Sequence, residues 1–168
     1  MPPSPTPSTL LAVLSDTHGH VPLTQAAVHL LRGFDVAAVL HCGDIGSPAI
    51  VRLLAEWPVH YVFGNVDDRP HELRAAITEA GQTCHERFGE LTLVDQRIAF
   101  LHGDDAPRFQ ESVASQRYDL VCYGHTHRAE QHLEGRTRVL NPGAIYRANP
   151  HTLAIVELPT LAIHIIRV

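Results

Sequence analysis

Five short segments dictate where this chain must turn: SDTHG at 15–19, CGD at 42–44, GNVD at 64–67, LHGD at 101–104 and GHTH at 124–127. Each follows an apolar run and sets a glycine beside an Asp, Asn or His. That is the pattern of a strand that ends in a tight turn and presents a polar side chain. Any one Asp-x-His or Gly-Asp carries little weight, because turns favour Asp and Gly for backbone reasons alone. Five in register reverse that balance. GHTH is the most specific, since two histidines in a turn after an apolar strand have little packing value.

The elements between these segments predict the fold. Residues 10–14 are a continuous apolar run, the mark of a strand buried on both faces. A helix over 22–32, a second buried strand over 36–40, a helix capped by Ser47 with Pro48 at its first position and a third strand over 59–63 follow. This β-α-β-α-β order calls for a largely parallel sheet with right-handed crossovers. After a helix over 70–80 ended by Gly81 come shorter strands with tight turns at 83–88, 91–94 and 98–101, where the sheet is expected to turn antiparallel. A helix over 107–116 and strands at 120–123, 130–133, 137–140, 153–158 and 161–167 complete the pattern. The expected class is α/β, with two mixed β-sheets packed as a sandwich and flanked by helices. One domain over 10–168 is expected, preceded by a disordered Pro-rich tail over 1–9.

At 168 residues the chain can bury a core without disulfides or a structural metal, which leaves any metal free for function. Thirteen arginines and no lysine stand against 18 acidic residues, and the net charge of −5, without a basic stripe, argues against general nucleic-acid or anionic-membrane binding. Cys42, Cys84 and Cys122 are an odd number without CxxC spacing. Two of them lie in apolar runs, where a thiol behaves as a small buried hydrophobe, so a reducing, cytoplasmic setting is expected. The start of the chain lacks the basic and apolar regions of a secretory signal, and no apolar stretch is long enough to cross a bilayer.

The chemistry lies at the strand ends. In open α/β sheets ligands bind beyond the carboxyl ends of the strands, where Asp16, Asp44, Asn65, His102, His125 and His127 all fall. In Asp16-x-His18 and His125-x-His127 an extended segment projects both side chains to the same side. Carboxylate and imidazole without thiolate suit Mn²⁺, Fe²⁺, Zn²⁺, Co²⁺ or Ni²⁺. Asp16, His18, Asp44, Asn65, His102, His125 and His127 are too many for one tetrahedral ion and suit two ions sharing a carboxylate. Two divalent ions roughly 3.5–4 Å apart acidify a bridging water and offset the charge that builds up in an in-line displacement at phosphorus.

In order and spacing, DTH, GD, GN, HG and GHTH resemble the signature of the calcineurin-like binuclear metallophosphoesterases, over residues 15–143. The small size, GNVD and NPGA at 141–144 resemble the YfcE-type phosphodiesterase branch in particular. The resemblance implies a four-layer sandwich. It implies one ion held by Asp16, His18, Asp44 and His127 and a second by Asp44, Asn65, His102 and His125, with Asp44 shared. The implied reaction is hydrolysis by a hydroxide bridging the two ions, with catalytic roles for Asp44, His102 and His125. Many members have a histidine at the third block, which contacts substrate and protonates the leaving oxygen; here Val66 stands in its place and can do neither. Esters with good leaving groups, such as aryl phosphodiesters, are therefore the expected substrates, and His20 is the candidate replacement proton donor.

Around this centre, Arg147 is a candidate to grip a phosphate oxygen and Asn141 to form a turn on the substrate side. Asp67 and Asp104 are candidates to orient the ligands, and His41 is left out of the metal set. The expected cofactor is a pair of divalent ions, manganese first, with zinc, iron, nickel or cobalt as alternatives. The expected partner is a small phosphate ester, with neither nucleic acid nor membrane, and exposed strand edges leave a homo-oligomer open. The alternative functions are a phosphomonoesterase acting on a metabolite or phosphoprotein, and a non-catalytic protein-binding scaffold like the retromer subunit of similar fold.

Overall fold

Strand β1 (Thr9–Leu14) is apolar from Leu10 onward because both of its faces are covered. In the computed structural model, which describes residues 8–168, Leu11 and Val13 enter a cluster between two sheets, while Ala12 and Leu14 enter a second cluster under helices. The chain continues through α1 (Val21–Leu31), β2 (Val36–His41), α2 (Pro48–Leu53), β3 (Val59–Tyr61), α3 (Pro70–Glu79), β4 (Thr83–Cys84), β5 (Phe88–Leu93) and β6 (Gln96–Leu101). It ends with α4 (Ala106–Ala114), β7 (Leu120–Cys122), β8 (Ala129–Glu134), β9 (Thr137–Pro142), β10 (Thr152–Leu158) and β11 (Ala162–Arg167).

Two sheets result, one ordered β11-β10-β1-β2-β3-β4 and the other β5-β6-β7-β9-β8. Residues of α1, α2 and α3 cover the outer face of the first sheet, and Val113 of α4 packs with Ala99, Leu101, Val121 and Val139 on the outer face of the second. This is the expected α/β sandwich of two mixed sheets in four layers. Each helix carries a proline at one of its first two positions, where its missing N–H costs nothing. Ser47 stands at the start of α2 as expected but makes no side-chain capping bond.

Two details differ from the sequence reading. β1 begins at Thr9, which already pairs with Leu158, inside the stretch assigned to the tail; residues 1–7 lie outside the described residues. The single strand expected at 83–88 is two strands in different sheets, because Glu86 takes a left-handed backbone (φ +60°) and the chain crosses from the first sheet to the second there. The second sheet is mixed, as expected: β5 and β6 pair antiparallel, β6 pairs with β7 in parallel through the α4 crossover, and β7 pairs with β9 in parallel. The parallel pairing matters for the site. β1, β2 and β3 run parallel in one sheet and β6, β7 and β9 in the other, so the loops after β1, β2, β3, β6 and β7 carry the five polar segments.

Between the sheets, Phe100 is fully buried and lies directly opposite Gly89 on the neighbouring strand. A Cβ at Gly89 would overlap the Phe100 ring, so the ring occupies the space the missing side chain leaves. Gly89→Ala should therefore destabilise the fold by about 1–3 kcal/mol through overpacking. An unchanged urea midpoint would show that the ring has room to move aside.

Candidate metal centre

The loops that follow these strands are laced together by their backbones. Asp16 N donates to Gly43 O at 3.0 Å, His18 N to Asp44 O at 2.9 Å and Gly19 N to Ile45 O at 2.8 Å, which zips the DTH loop to the CGD loop. Ile145 N donates to Ser15 O at 3.1 Å and Tyr146 N to Asp16 O at 3.0 Å, while Gly124 N donates to His102 O at 2.9 Å. Asp16, His18, Asp44, His125 and His127 all adopt left-handed backbone, with φ between +47° and +69°. Such conformations cost non-glycine residues of order 1–3 kcal/mol each and persist where surrounding structure enforces them. They fall on the side chains that the spacing singled out.

Those side chains meet. One ligand atom each from Asp16, His18, Asp44 and His127 lies within 4.8 Å of the others. Asp16 Oδ1 is 3.1 Å from His127 Nε2 and 3.6 Å from His18 Nε2, and the two imidazole nitrogens are 3.3 Å apart. Beside them, His102 Nε2 lies 3.2 Å from Asp44 Oδ2 and 2.9 Å from Asn65 Oδ1, and Asn65 Oδ1 lies 3.2 Å from His125 Nδ1. Asp44 faces both groups, since its Oδ2 is also 3.7 Å from His18 Nε2.

The imidazole tautomers give this crowding its meaning. His102 Nδ1 is 2.8 Å from Cys42 O and His127 Nδ1 is 3.2 Å from Arg147 O. A carbonyl only accepts, so each Nδ1 carries the proton, and the Nε2 lone pairs point at carboxylate oxygens. Lone pair against carboxylate is repulsive unless a cation lies between them. In the absence of a metal a proton answers: burial alone would lower the His102 pKa, but the hydrogen bond and charge of Asp44, with the charge of Asp16, raise it. Burial pushes the Asp16 carboxyl up, yet the hydrogen bonds from His18 and Ser15 and the charges of His102 and His127 hold it below its ordinary value. The Asp44 carboxyl is also lowered: burial opposes, and His102 and the Val66 N–H prevail. Among the described residues no arginine pairs with either carboxylate; their ionic partners are histidines. The donor set, carboxylate, imidazole and amide oxygen without thiolate, fits divalent metal ions.

Buried polar residues brace the loops. Asp67 accepts from Gly64 N at 2.8 Å, Gly46 N at 3.0 Å and Ile45 N at 3.2 Å, which joins the GNVD and CGD loops. His41 is fully buried. Its Nδ1 accepts from Gly43 N, its Nε2 is 2.9 Å from Thr17 Oγ1, and burial lowers its pKa to about 3, so it stays neutral and serves as a brace. Gly64 and Gly124 let backbone pass against Asp44 and Asp16; a Cβ at either would overlap the Asp44 carboxylate or the Ser15 hydroxyl.

The remaining candidates lie outside the cluster. His20 caps α1, accepting from Leu23 N at 3.3 Å, and stacks on Tyr146 with ring centroids 4.3 Å apart. Arg147 is exposed, and its carbonyl, rather than its guanidinium, contacts His127. Asn141, expected on the substrate side, is fully buried instead: its amide donates to Gly124 O and Thr126 Oγ1 and its Oδ1 accepts from Gly143 N, so it shapes the GHTH loop from beneath. His41 and Asn141 are both singled out in the sequence, and their bracing roles follow from their place at the ends of buried strands. Arg87, whose contacts are described below, carries no motif at all.

Comparison with known proteins gives this geometry a context. The family model for the Calcineurin-like phosphoesterase superfamily domain matches residues 10–160. Phosphodiesterase MJ0936 of Methanocaldococcus jannaschii is 26% identical over 136 residues, covering 79% of this chain and 82% of that one. The solved structure of a novel archaeal phosphodiesterase superimposes with a TM-score of 0.88 at 23% identity, covering 95% of this chain and all of that one. YfcE, a phosphoesterase from E. coli, superimposes with a TM-score of 0.67 at 20% identity over 95% of this chain and 99% of that one.

A cluster that needs a cation should be stabilised by one. Manganese at a hundredfold its Kd should add about 2.7 kcal/mol to the metal-free protein, read as a rise in Tm. Asp44→Asn should abolish that rise. A Tm unmoved by Mn²⁺, Zn²⁺ and Ni²⁺ alike would contradict the site.

Proposed function

The chain belongs to the calcineurin-like phosphoesterase superfamily, a family of enzymes that hydrolyse phosphate esters, and on that premise we propose that it is a phosphodiesterase working with two divalent ions. The observation that carries this reading is the pair of imidazole lone pairs, on His102 and His127, held against buried carboxylates that no arginine neutralises. One ion is assigned to Asp16, His18, Asp44 and His127, and the other to Asp44, Asn65, His102 and His125, with Asp44 common to both. The names of the relatives support diester rather than monoester substrates.

When bound, the two ions supply Lewis acidity and bring the pKa of water toward neutrality. The protein's own residues do the rest. Ser15 Oγ at 2.6 Å and the His125 N–H at 3.1 Å hold the second carboxylate oxygen of Asp16, so that Oδ1 stays turned inward. The Val66 N–H at 3.0 Å holds Asp44 Oδ1 in the same way and leaves Oδ2 facing both halves of the site. The Cys42 and Arg147 carbonyls hold the protons of His102 and His127 away from the centre. His125, exposed at the mouth, would hold the second ion through one ring nitrogen, and the N–H of its other ring nitrogen can donate to a phosphoryl oxygen as negative charge develops there.

The Val66 side chain, 40% exposed beside Asn65, offers no proton to a leaving oxygen. Aryl phosphodiesters, whose leaving groups depart as anions, are the favoured class. His20 is assigned as proton donor for less activated esters: its Nδ1 accepts from Leu23 N, so the neutral ring bears its proton on Nε2. Manganese is the favoured metal on donor type, with zinc, iron, nickel or cobalt next. Three free cysteines agree with a reducing, cytoplasmic location, and none of the described helices is long and apolar enough to cross a membrane. The scaffold alternative is not favoured, since the whole donor set is present and converges.

Manganese-loaded protein should hydrolyse an aryl phosphodiester, and Asp44→Asn should lower kcat by at least about 10³-fold, the scale of losing a principal electrostatic contribution. Faster turnover of the matching monoester at equal leaving-group pKa would favour a phosphomonoesterase. His20→Ala should depress hydrolysis of alkyl diesters more than of aryl diesters; equal effects on both would remove the donor role.

A further inference from the structure

The segment that carries the chain from the first sheet to the second, residues 85–87, grips the centre from behind. Glu86 O accepts from Phe63 N at 2.6 Å. Arg87 then donates from Nη1 to Phe63 O at 3.2 Å and from Nη2 to Asp104 Oδ2 at 2.6 Å. Phe63 stands two residues before Asn65, and Asp104 two residues after His102. One guanidinium thus spans the two loops whose side chains, Asn65 Oδ1 and His102 Nε2, meet 2.9 Å apart. The planar fork suits the task because it donates in two fixed directions at once, which a lysine ammonium does not.

We propose that Arg87 is a positioning residue that sets the spacing of Asn65 and His102, and so the affinity of one of the two ions and not the other. This rests on the assignment of two ions made above. The selectivity follows from what holds the other half. Asp16, His18 and His127 are placed by the zip between the DTH and CGD loops, by Tyr146 N on Asp16 O and by Arg147 O on His127, none of which passes through Arg87. The ion pair itself is partly exposed, with side-chain exposures of 43% and 20%, so its loss should leave the fold nearly as stable as before. Groups that orient ligands without touching the ion typically govern metal affinity by about 10–100-fold.

The test is titration of metal-free protein with Mn²⁺ by calorimetry, counting ions and their separate affinities, for the wild type, Arg87→Met, Asp104→Ala, the double variant and Arg32→Met. The last breaks the exposed Arg32–Glu56 pair, which makes no hydrogen bond to either loop, and serves as the control. Wild type and Arg32→Met should bind two ions alike. Arg87→Met and Asp104→Ala should each weaken the second ion about tenfold or more while the first stays within twofold, with the metal-free Tm little changed. The double variant should be no worse than the weaker single one, as expected of residues acting as a unit. In Arg87→Met, kcat should fall with occupancy of the second site and return at saturating Mn²⁺. Two ions of unchanged affinity in Arg87→Met, or equal loss of both, would overturn the proposal while leaving the binuclear assignment intact. Fewer than two ions in the wild type would instead overturn the assignment, and the role of Arg87 with it.

Discussion

The site depends on an electrostatic conflict built into the fold. Asp16 and Asp44 are almost wholly buried, and two of the imidazoles turned toward them, His102 and His127, have their other nitrogen committed to a backbone carbonyl. Burying a carboxylate without a counter-charge is costly, and an arginine partner would cancel the charge permanently. Histidine leaves the choice open between a proton and a metal ion. The same feature that makes such a cluster unfavourable by itself suits it to a divalent cation, so that metal binding and local stability would be one quantity.

Holding such a conflict in place requires a rigid frame. Two sheets with their parallel strands ending at one edge supply it, and α1 to α4 cover the outer faces. The turns at that edge are strained, with five of the candidate ligands in left-handed backbone, and each strained turn is cross-tied to another. Asp67, His41 and Asn141 use buried polar groups to satisfy the backbone of neighbouring loops, so their loss would leave donors or acceptors unpaired as well as loosening the site. Rigidity here serves chemistry directly, since ligands that wander by an ångström no longer define a coordination sphere.

Much of this was legible in the residues alone. The buried strands declare themselves by unbroken apolar runs, and the ligand loops by a glycine beside a polar residue at each strand end. What was hidden depends on contacts remote in sequence. The split of the stretch 83–88 turns on the left-handed backbone of Glu86, a conformation that a glutamate does not advertise. The mixed second sheet, by contrast, was legible, since tight turns signal the antiparallel β5–β6 pair and the helix between β6 and β7 signals their parallel pairing. Asn141 looks like a turn residue facing substrate, and only its burial under the GHTH loop reveals a bracing role. Arg87 sits in no motif and acts through a carbonyl and a carboxylate 24 and 17 residues away, which no local pattern encodes.

The most direct measurement is a crystal grown with Mn²⁺ and examined by anomalous scattering at the metal's absorption edge. Two peaks should appear roughly 3.5–4 Å apart, with Asp44 between them. Crystals that show no anomalous peak among Asp16, His18, Asp44, Asn65, His102, His125 and His127, or one ion alone at saturating manganese, would contradict the binuclear centre.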